Sequence, residues 1–383
     1  GEENMKDKVS RFITVIISLI IILALGFSVY IVWYSIKDLD VAAEPEKFQT
    51  QMSTIGENTV DKETIKTPQI IENNPFDNIT SENTQSHNID YGDVNIDKFF
   101  YNQLEEPAKI IYKAFESNKE QMKSGNFQVE LGNSFDDILN GVGGSDELGK
   151  YYQSAIEAYT YDNPDVFYLS PNKIYLNMET IQRGNRTSYN VYINNGTQNN
   201  YFIDEFSSMS QVNEALNQIN IIRDELISKR TGNNVNDIKM VHDYLVDNTI
   251  YDTSLSKPNI YNMYGALINK EAVCEGYARA FKYIMDGMNI PCVLAIGQGT
   301  NSKGQTENHA WNYIEVNGAW YAIDCTWDDP VVQGGGIVSQ TSKYKYFLRG
   351  SNEFLKDHTP SGHFTPDGML FTYPQISTND YKR

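Results

Sequence analysis

Glu271-Ala-Val-Cys-Glu-Gly-Tyr-Ala-Arg-Ala-Phe281 is followed by His309-Ala-Trp-Asn-Tyr313 and by Trp320-Tyr-Ala-Ile-Asp-Cys-Thr-Trp-Asp-Asp-Pro330. After Cys274, the residues Tyr277, Phe281, Ile284 and Met288 recur at helical spacing; Gly287 and Asn289 weaken the pattern and Pro291 stops it. Cys274 therefore falls in the first turn of a helix. Amides there have no partner within the helix and the dipole favours negative charge, so the position suits a thiolate and can hold an oxyanion. A buried, inert thiol is the competing reading of any single cysteine.

Downstream, His309–Val316 and Ala319–Thr326 alternate in strand fashion around Asn317-Gly318, a pair that favours a two-residue type I′ hairpin. Such a turn sets Val316 opposite Ala319, and the register then carries Asp324 opposite Trp311 and His309 opposite Thr326. His309 and Asp324 become diagonal neighbours on one face, ~7–8 Å apart in the backbone and closer at Cβ. A slip of one residue would part them. The expectation is a triad, with Cys274 as nucleophile, His309 as general base and Asp324 orienting the imidazole, facing the start of the Cys274 helix. Ala310, Ile314, Val316, Tyr321, Ile323 and Cys325 form the other, core face. Cys292 and Cys325 read as core thiols, with a disulfide between them as the alternative.

The segments VCEGYARAF, HAWNYIEVNGAWYAIDCTWDDP and, upstream, VHDYLVDNTIYD resemble the transglutaminase-like superfamily, in particular its membrane-anchored or secreted bacterial members. The resemblance covers about residues 206–350. It implies an α+β, papain-like core in which the helix bearing Cys274 packs on an antiparallel sheet. It also implies the same three roles for Cys274, His309 and Asp324, a site wall at Trp327, and an extra oxyanion donor upstream. Tyr264 is the candidate for that donor, and a merely packed aromatic is its other reading. The Cys-x-x-Cys zinc pairs of the peptide N-glycanases are absent, as is an evident calcium site of the animal enzymes. No metal and no cofactor is expected.

The totals narrow the partners. The chain has 383 residues and a formal charge of −19, which repels nucleic acid and anionic headgroups. Three cysteines make no disulfide framework. Phe12 to Tyr34 carries no charge and is long enough to cross a bilayer. Lys6, Lys8 and Arg11 precede it and an acidic flank follows, which predicts a cytoplasmic N-terminus and an extracellular remainder. A cleaved signal peptide is the rival, since Val41-Ala-Ala43 offers small residues. Residues 35–94 are polar and without apolar period, a stalk whose mean span is on the order of 40 Å. His87 in it reads as solvated.

A small α+β unit is expected over 95–205, with helices near 97–124 and 147–159, strands at 173–178 and 188–193, and Pro107 kinking or restarting the first helix. The catalytic unit is expected over 206–383. It begins with helices at 211–229 and from the Val235–Asp237 cap onward, where His242 sits on an apolar face as a satisfied core histidine. Tyr344–Leu348 reads as a short aromatic strand. Asp357, His358 and His363 read as loop hydrogen-bonders, with metal ligation as the lesser alternative. The function expected is a surface thiol enzyme, a peptidase, amidase or transglutaminase, acting on peptide or protein substrates such as cell-wall peptides. A non-catalytic binding or scaffolding module on the same fold is the alternative. Hydrolysis and transamidation differ only in the second nucleophile, and the residues do not choose between them.

Overall fold

The computed structural model describes residues 89, 91, 96–302, 304–329, 343–361 and 369–382. The expected membrane helix at 12–34, nearly all of the stalk, and His363 lie outside the described residues. No helix among the described residues is long and apolar enough to cross a membrane.

Pro107 does not kink a helix; it restarts the helical run after the short 3-10 turn at Tyr101–Gln103. It stands in the first turn of α1 (Glu106–Ser117), where its missing N–H would have had no partner. Then come β1 (Val129–Gly132) and α2 (Gly144–Asp162), which ends where Asn163-Pro164 cannot continue it. β2 (Tyr175–Arg183) and β3 (Arg186–Asn194) form a hairpin whose turn contains Gly184 at φ +61°. The sheet order is β1-β3-β2.

α3 (Met209–Ser228) is capped by the Ser208 hydroxyl, which accepts from the Gln211 amide. α4 (Asn234–Asn248) is capped by Asn233, earlier than the expected Val235–Asp237. Asp237 instead turns inward and accepts from the Thr231 amide at 2.7 Å and from Arg230 at 3.2 Å. β4 (Ile250–Tyr251) and β5 (Glu271–Ala272) form a short parallel pair around a π-helical turn at Gly265–Asn269. α5 (Cys274–Gly287) follows.

The second sheet holds β6 (Cys292–Thr300), β7 (Thr306–Val316), β8 (Ala319–Ile323) and β9 (His358–Pro360), in the order β8-β7-β6-β9. α5 lies against β6 and β7, so the mixed helix-and-sheet core has the arrangement expected of it. The inward side of α5 buries Tyr277, Phe281, Ile284 and Met285 completely. Each such side chain contributes roughly 1.5–3 kcal/mol, and cutting Phe281 to Ala would cost about 3–5 kcal/mol. Lys282, also buried, donates to Asp286 at 2.9 Å and to the Cys292 carbonyl at 3.1 Å, tying the helix to the first strand of the sheet.

One hydrophobic core runs from Phe100 and Tyr112 through Phe281 and Trp311 to Phe371. Its members lie on both sides of residue 205. Arg279 of α5 donates to the Thr160 carbonyl at 2.8 Å and sits over the Tyr161 ring, so α2 and α5 are locked together. Tyr344–Leu348 is a run of turns rather than a strand; the adjoining Arg349 makes a single bridge to Ala322. That stretch is held by side-chain bonds, which leave no alternating signal in sequence.

Candidate active site

Gly276 explains why the chain can enter α5 as it does. A Cβ there would stand 2.4 Å from the Ile260 carbonyl oxygen and 2.8 Å from the Ala272 Cβ. The 260–262 segment passes that close, and only glycine permits it. Cys274 thus occupies the first turn against Leu255, Ile260, Val273, Ala278, Leu294 and Ala310. This setting works against the expected thiolate. Burial pushes the Cys274 thiol well up, and a hydrogen bond from the Ala310 amide only partly offsets it. Tyr251 and Tyr261 flank the same cluster.

His309 lies on β7, opposite Gly297 of β6. Gly297 and Gly299 clear its face of the sheet: a Cβ at Gly297 would meet the Trp311 ring at 2.7 Å, and one at Gly299 would meet Trp327 at 2.7 Å and His309 at 3.3 Å. Trp327 stacks on His309 with ring centroids 4.8 Å apart, so it walls the imidazole.

The hairpin register is the expected one, from Val316–Ala319 to Asn312–Ile323. Asn317 and Gly318 both have positive φ, 54° and 80°, as a type I′ turn requires. The ladder stops at Ile323, however, so Asp324 and Thr326 do not pair with Trp311 and His309; residues 324–328 form a turn closed by the Asp328 amide on the Asp324 carbonyl. The side chains still meet. His309 Nε2 and Asp324 Oδ2 are 2.6 Å apart, both groups almost completely buried. Asp324 Oδ1 accepts from the amides of Thr326 and Trp327 at 2.9 and 3.1 Å. Burial alone would raise the Asp324 carboxyl, but the charge and hydrogen bond of His309, then those of His358, hold it well below the usual carboxylate range.

His309 Nδ1 is buried and has no hydrogen-bond partner. The Cys274 thiol accepts from the amide of Ala310, the residue after His309, and is not bonded to the imidazole.

Tyr264 is placed elsewhere. Its hydroxyl donates to Gln218 of α3 at 3.2 Å and its ring faces Phe167 and Phe206. It is a packed aromatic, and Tyr251 and Tyr261 are the tyrosines beside Cys274. Cys292 and Cys325 are free, buried thiols with no disulfide between them. His242 has both ring nitrogens bonded, to Asp243 and to Asp328 at 3.1 Å each, as expected of a core histidine.

Two further groups reach this cluster that the sequence reading did not place there. His358, on the edge strand β9, reaches Asp324 Oδ2 at 3.2 Å. Glu307, two residues before His309, is pushed up to about 7 by burial and by the charge of Asp324. One atom each from His309, Asp324 and His358 lie within 4.8 Å of one another, a spacing a divalent ion accepts. Oδ2 of Asp324 already takes both imidazole nitrogens, so the cluster is complete as a hydrogen-bonded set.

Residues 223–325 match the family model described as the transglutaminase-like superfamily. The kyphoscoliosis peptidases of Mus musculus and Homo sapiens are 32% and 31% identical over 101 residues, 23% of this chain and 14% of theirs. The chain thus spans only a small part of the length of these relatives. Among solved structures, a TGase superposes with a TM-score of 0.28 at 13% identity, covering 45% of this chain and 48% of that one. The periplasmic domain of TgpA from Pseudomonas aeruginosa gives 0.23 at 15% identity, over 37% and 56%. Scores this low decide nothing about activity. Residues 223–325, which contain Cys274, His309 and Asp324, are transglutaminase-like.

Proposed function

We propose that the chain is a cysteine-nucleophile enzyme that transfers acyl groups from amide bonds of peptides or proteins. The observation that carries this reading is the His309–Asp324 pair at 2.6 Å, with Nδ1 of the same imidazole unpartnered and the amide of the next residue, Ala310, bonded to the Cys274 thiol. Asp324 fixes the tautomer by accepting at Nε2, which leaves Nδ1 as the base. His309 Nδ1 takes the thiol proton as Cys274 attacks the carbonyl carbon. The same proton goes to the departing amine, and a thioester remains. Water then releases the acid, or a primary amine forms a new amide. Because burial keeps the resting thiol protonated, attack and proton transfer proceed together rather than from a standing thiolate.

The uncharged stretch 12–34, with cations on one flank and acids on the other, supports placement of this domain outside a membrane, where cell-wall peptides and surface proteins are the candidate substrates. The deciding experiment presents the full chain with a peptide library, with and without a primary amine, beside Cys274→Ala. New free acids indicate hydrolysis and amine adducts indicate transamidation. Product formation equal in the wild type and in Cys274→Ala would overturn the reading. It would favour a binding module, for which the buried, protonated Cys274 is the supporting observation.

A further inference from the structure

Asp324 Oδ2 serves two histidines. His309 Nε2 is 2.6 Å from it and His358 Nε2 is 3.2 Å, and the two rings lie 5.5 Å apart. His358 Nδ1 in turn meets Asp357 Oδ1 at 2.8 Å. An ionised carboxylate only accepts, so a histidine with one on each ring nitrogen must donate from both and carries a positive charge. Its ring is clamped as well: Phe354 stacks on it at 3.9 Å and Trp327 lies 4.5 Å away. These contacts fix the angle at which Nε2 meets Asp324.

We propose that His358 is a positioning residue that shares Asp324 with His309, holding the carboxylate in place and placing a second positive charge beside the base. The assignment rests on the acyl-transfer reading for its purpose, but not for its physics. Asp324 alone would set its full charge against the His309 ring, and the His358 cation offsets part of that charge. Burial would lower the His358 ring, and its bonds to Asp324 and Asp357 raise it instead, in keeping with a lasting cation.

Other ionisable groups face this cluster. Tyr346 donates to Asp357 Oδ2 at 2.8 Å, and Lys345 lies 4.0 Å from the same oxygen. Glu307, Cys274, Cys325 and Asp328 feel the charge of Asp324. Of these, Glu307 titrates closest to neutrality, so Glu307→Gln serves as the background in which to read the imidazole.

The test is the ring titration of His309, followed by nitrogen-15 imidazole NMR in that background, with and without His358→Gln. Glutamine can still donate to Asp324 but carries no charge. The His309 midpoint is expected to rise by about one pH unit. Asp357→Asn, which removes the outer carboxylate and leaves His358 in place, is expected to move it the same way by less. It decides the matter if His358→Gln does not fold. An unchanged His309 midpoint in the folded variants would overturn the proposal. The readout does not need turnover: a shifted midpoint in a protein without acyl-transfer activity would uphold the proposal and sink only the enzymatic reading.

Discussion

His242 and Asp328 meet at 3.1 Å with both side chains fully buried, joining α4 to the turn that carries Asp324. Asp328 also accepts from the Tyr346 amide at 2.8 Å. Replacing His242 by Phe leaves a carboxylate buried beside an apolar ring. The expected cost is about 3–5 kcal/mol, read as a lower midpoint in chemical denaturation. A loss below ~1 kcal/mol would show that the contact contributes little.

The same histidine gives stability a pH dependence. Burial would lower the His242 ring, but its bonds to Asp243 and Asp328 raise it above the ordinary imidazole value; His358 is raised likewise. Each binds its proton more tightly folded than unfolded. Its contribution is therefore complete below the unfolded value and is lost as pH rises through the folded one. Asp328, pushed up to about 6 by burial, adds the same sign at lower pH. Denaturation midpoints are expected to fall as pH rises from about 6 into the alkaline range, and to fall less in His242→Gln. A midpoint that rises over that interval would contradict this.

Iodoacetamide should report the state of Cys274 directly. With the thiol buried and raised, alkylation at neutral pH is expected to run roughly tenfold or more below that of a small free thiol. The modified peptide is quantified by mass spectrometry against time. Rapid labelling near pH 6 would reveal a standing thiolate–imidazolium pair instead.

Asp324→Asn keeps the size of the side chain but cannot accept at every position where Asp324 accepts now. The imidazole loses its fixed tautomer, and kcat/KM is expected to drop by ~10²–10⁴. The comparison is turnover of a peptide identified in the library, with circular dichroism as the check on folding. Near-wild-type turnover would remove Asp324 from the proposed triad.

Two glycines separate stability from activity. In Gly276→Ala the new methyl meets backbone at 2.4 Å, so the protein is expected to lose about 1–3 kcal/mol or more. In Gly299→Ala the obstacle is the Trp327 ring, a side chain that can move. Stability there is expected to change by under ~1 kcal/mol, while displacement of the ring stacked on His309 slows turnover. The reverse ranking of the two in thermal denaturation would count against both assignments.

The contrast between His309 and His358 shows what could be read ahead of the structure. His309 was legible because Asn317-Gly318 fixes a local register, and alternation then says which side chains share a face. Even there the reading reached three residues too far, to Thr326, since β8 ends at Ile323 and Asp324 meets His309 from a turn. Cys274 was legible from helical spacing, but not its raised thiol, which depends on distant apolar side chains such as Leu255 and Leu294. His358 sits on a three-residue edge strand whose partner, β6, lies far back in the chain. Nothing local marks such a pairing. The two readings of Tyr264, oxyanion donor and packed aromatic, could not be separated for the same reason: the π-helical turn that follows it and the packing of Phe167 decide its direction.

Asp324, Asp328 and Asp329 occupy one short turn, and each is spent on a different part of the molecule. The first holds His309 and His358, the second His242 of α4, and the third accepts from the Tyr277 hydroxyl of α5. The turn is therefore a hub, and its surroundings should open as one cooperative unit. In native-state hydrogen exchange, the amides of Thr326, Trp327 and Asp328 should share an opening free energy with the middle of α4. A lesion such as His242→Phe, remote from Cys274 in sequence, would then lower protection at the site itself.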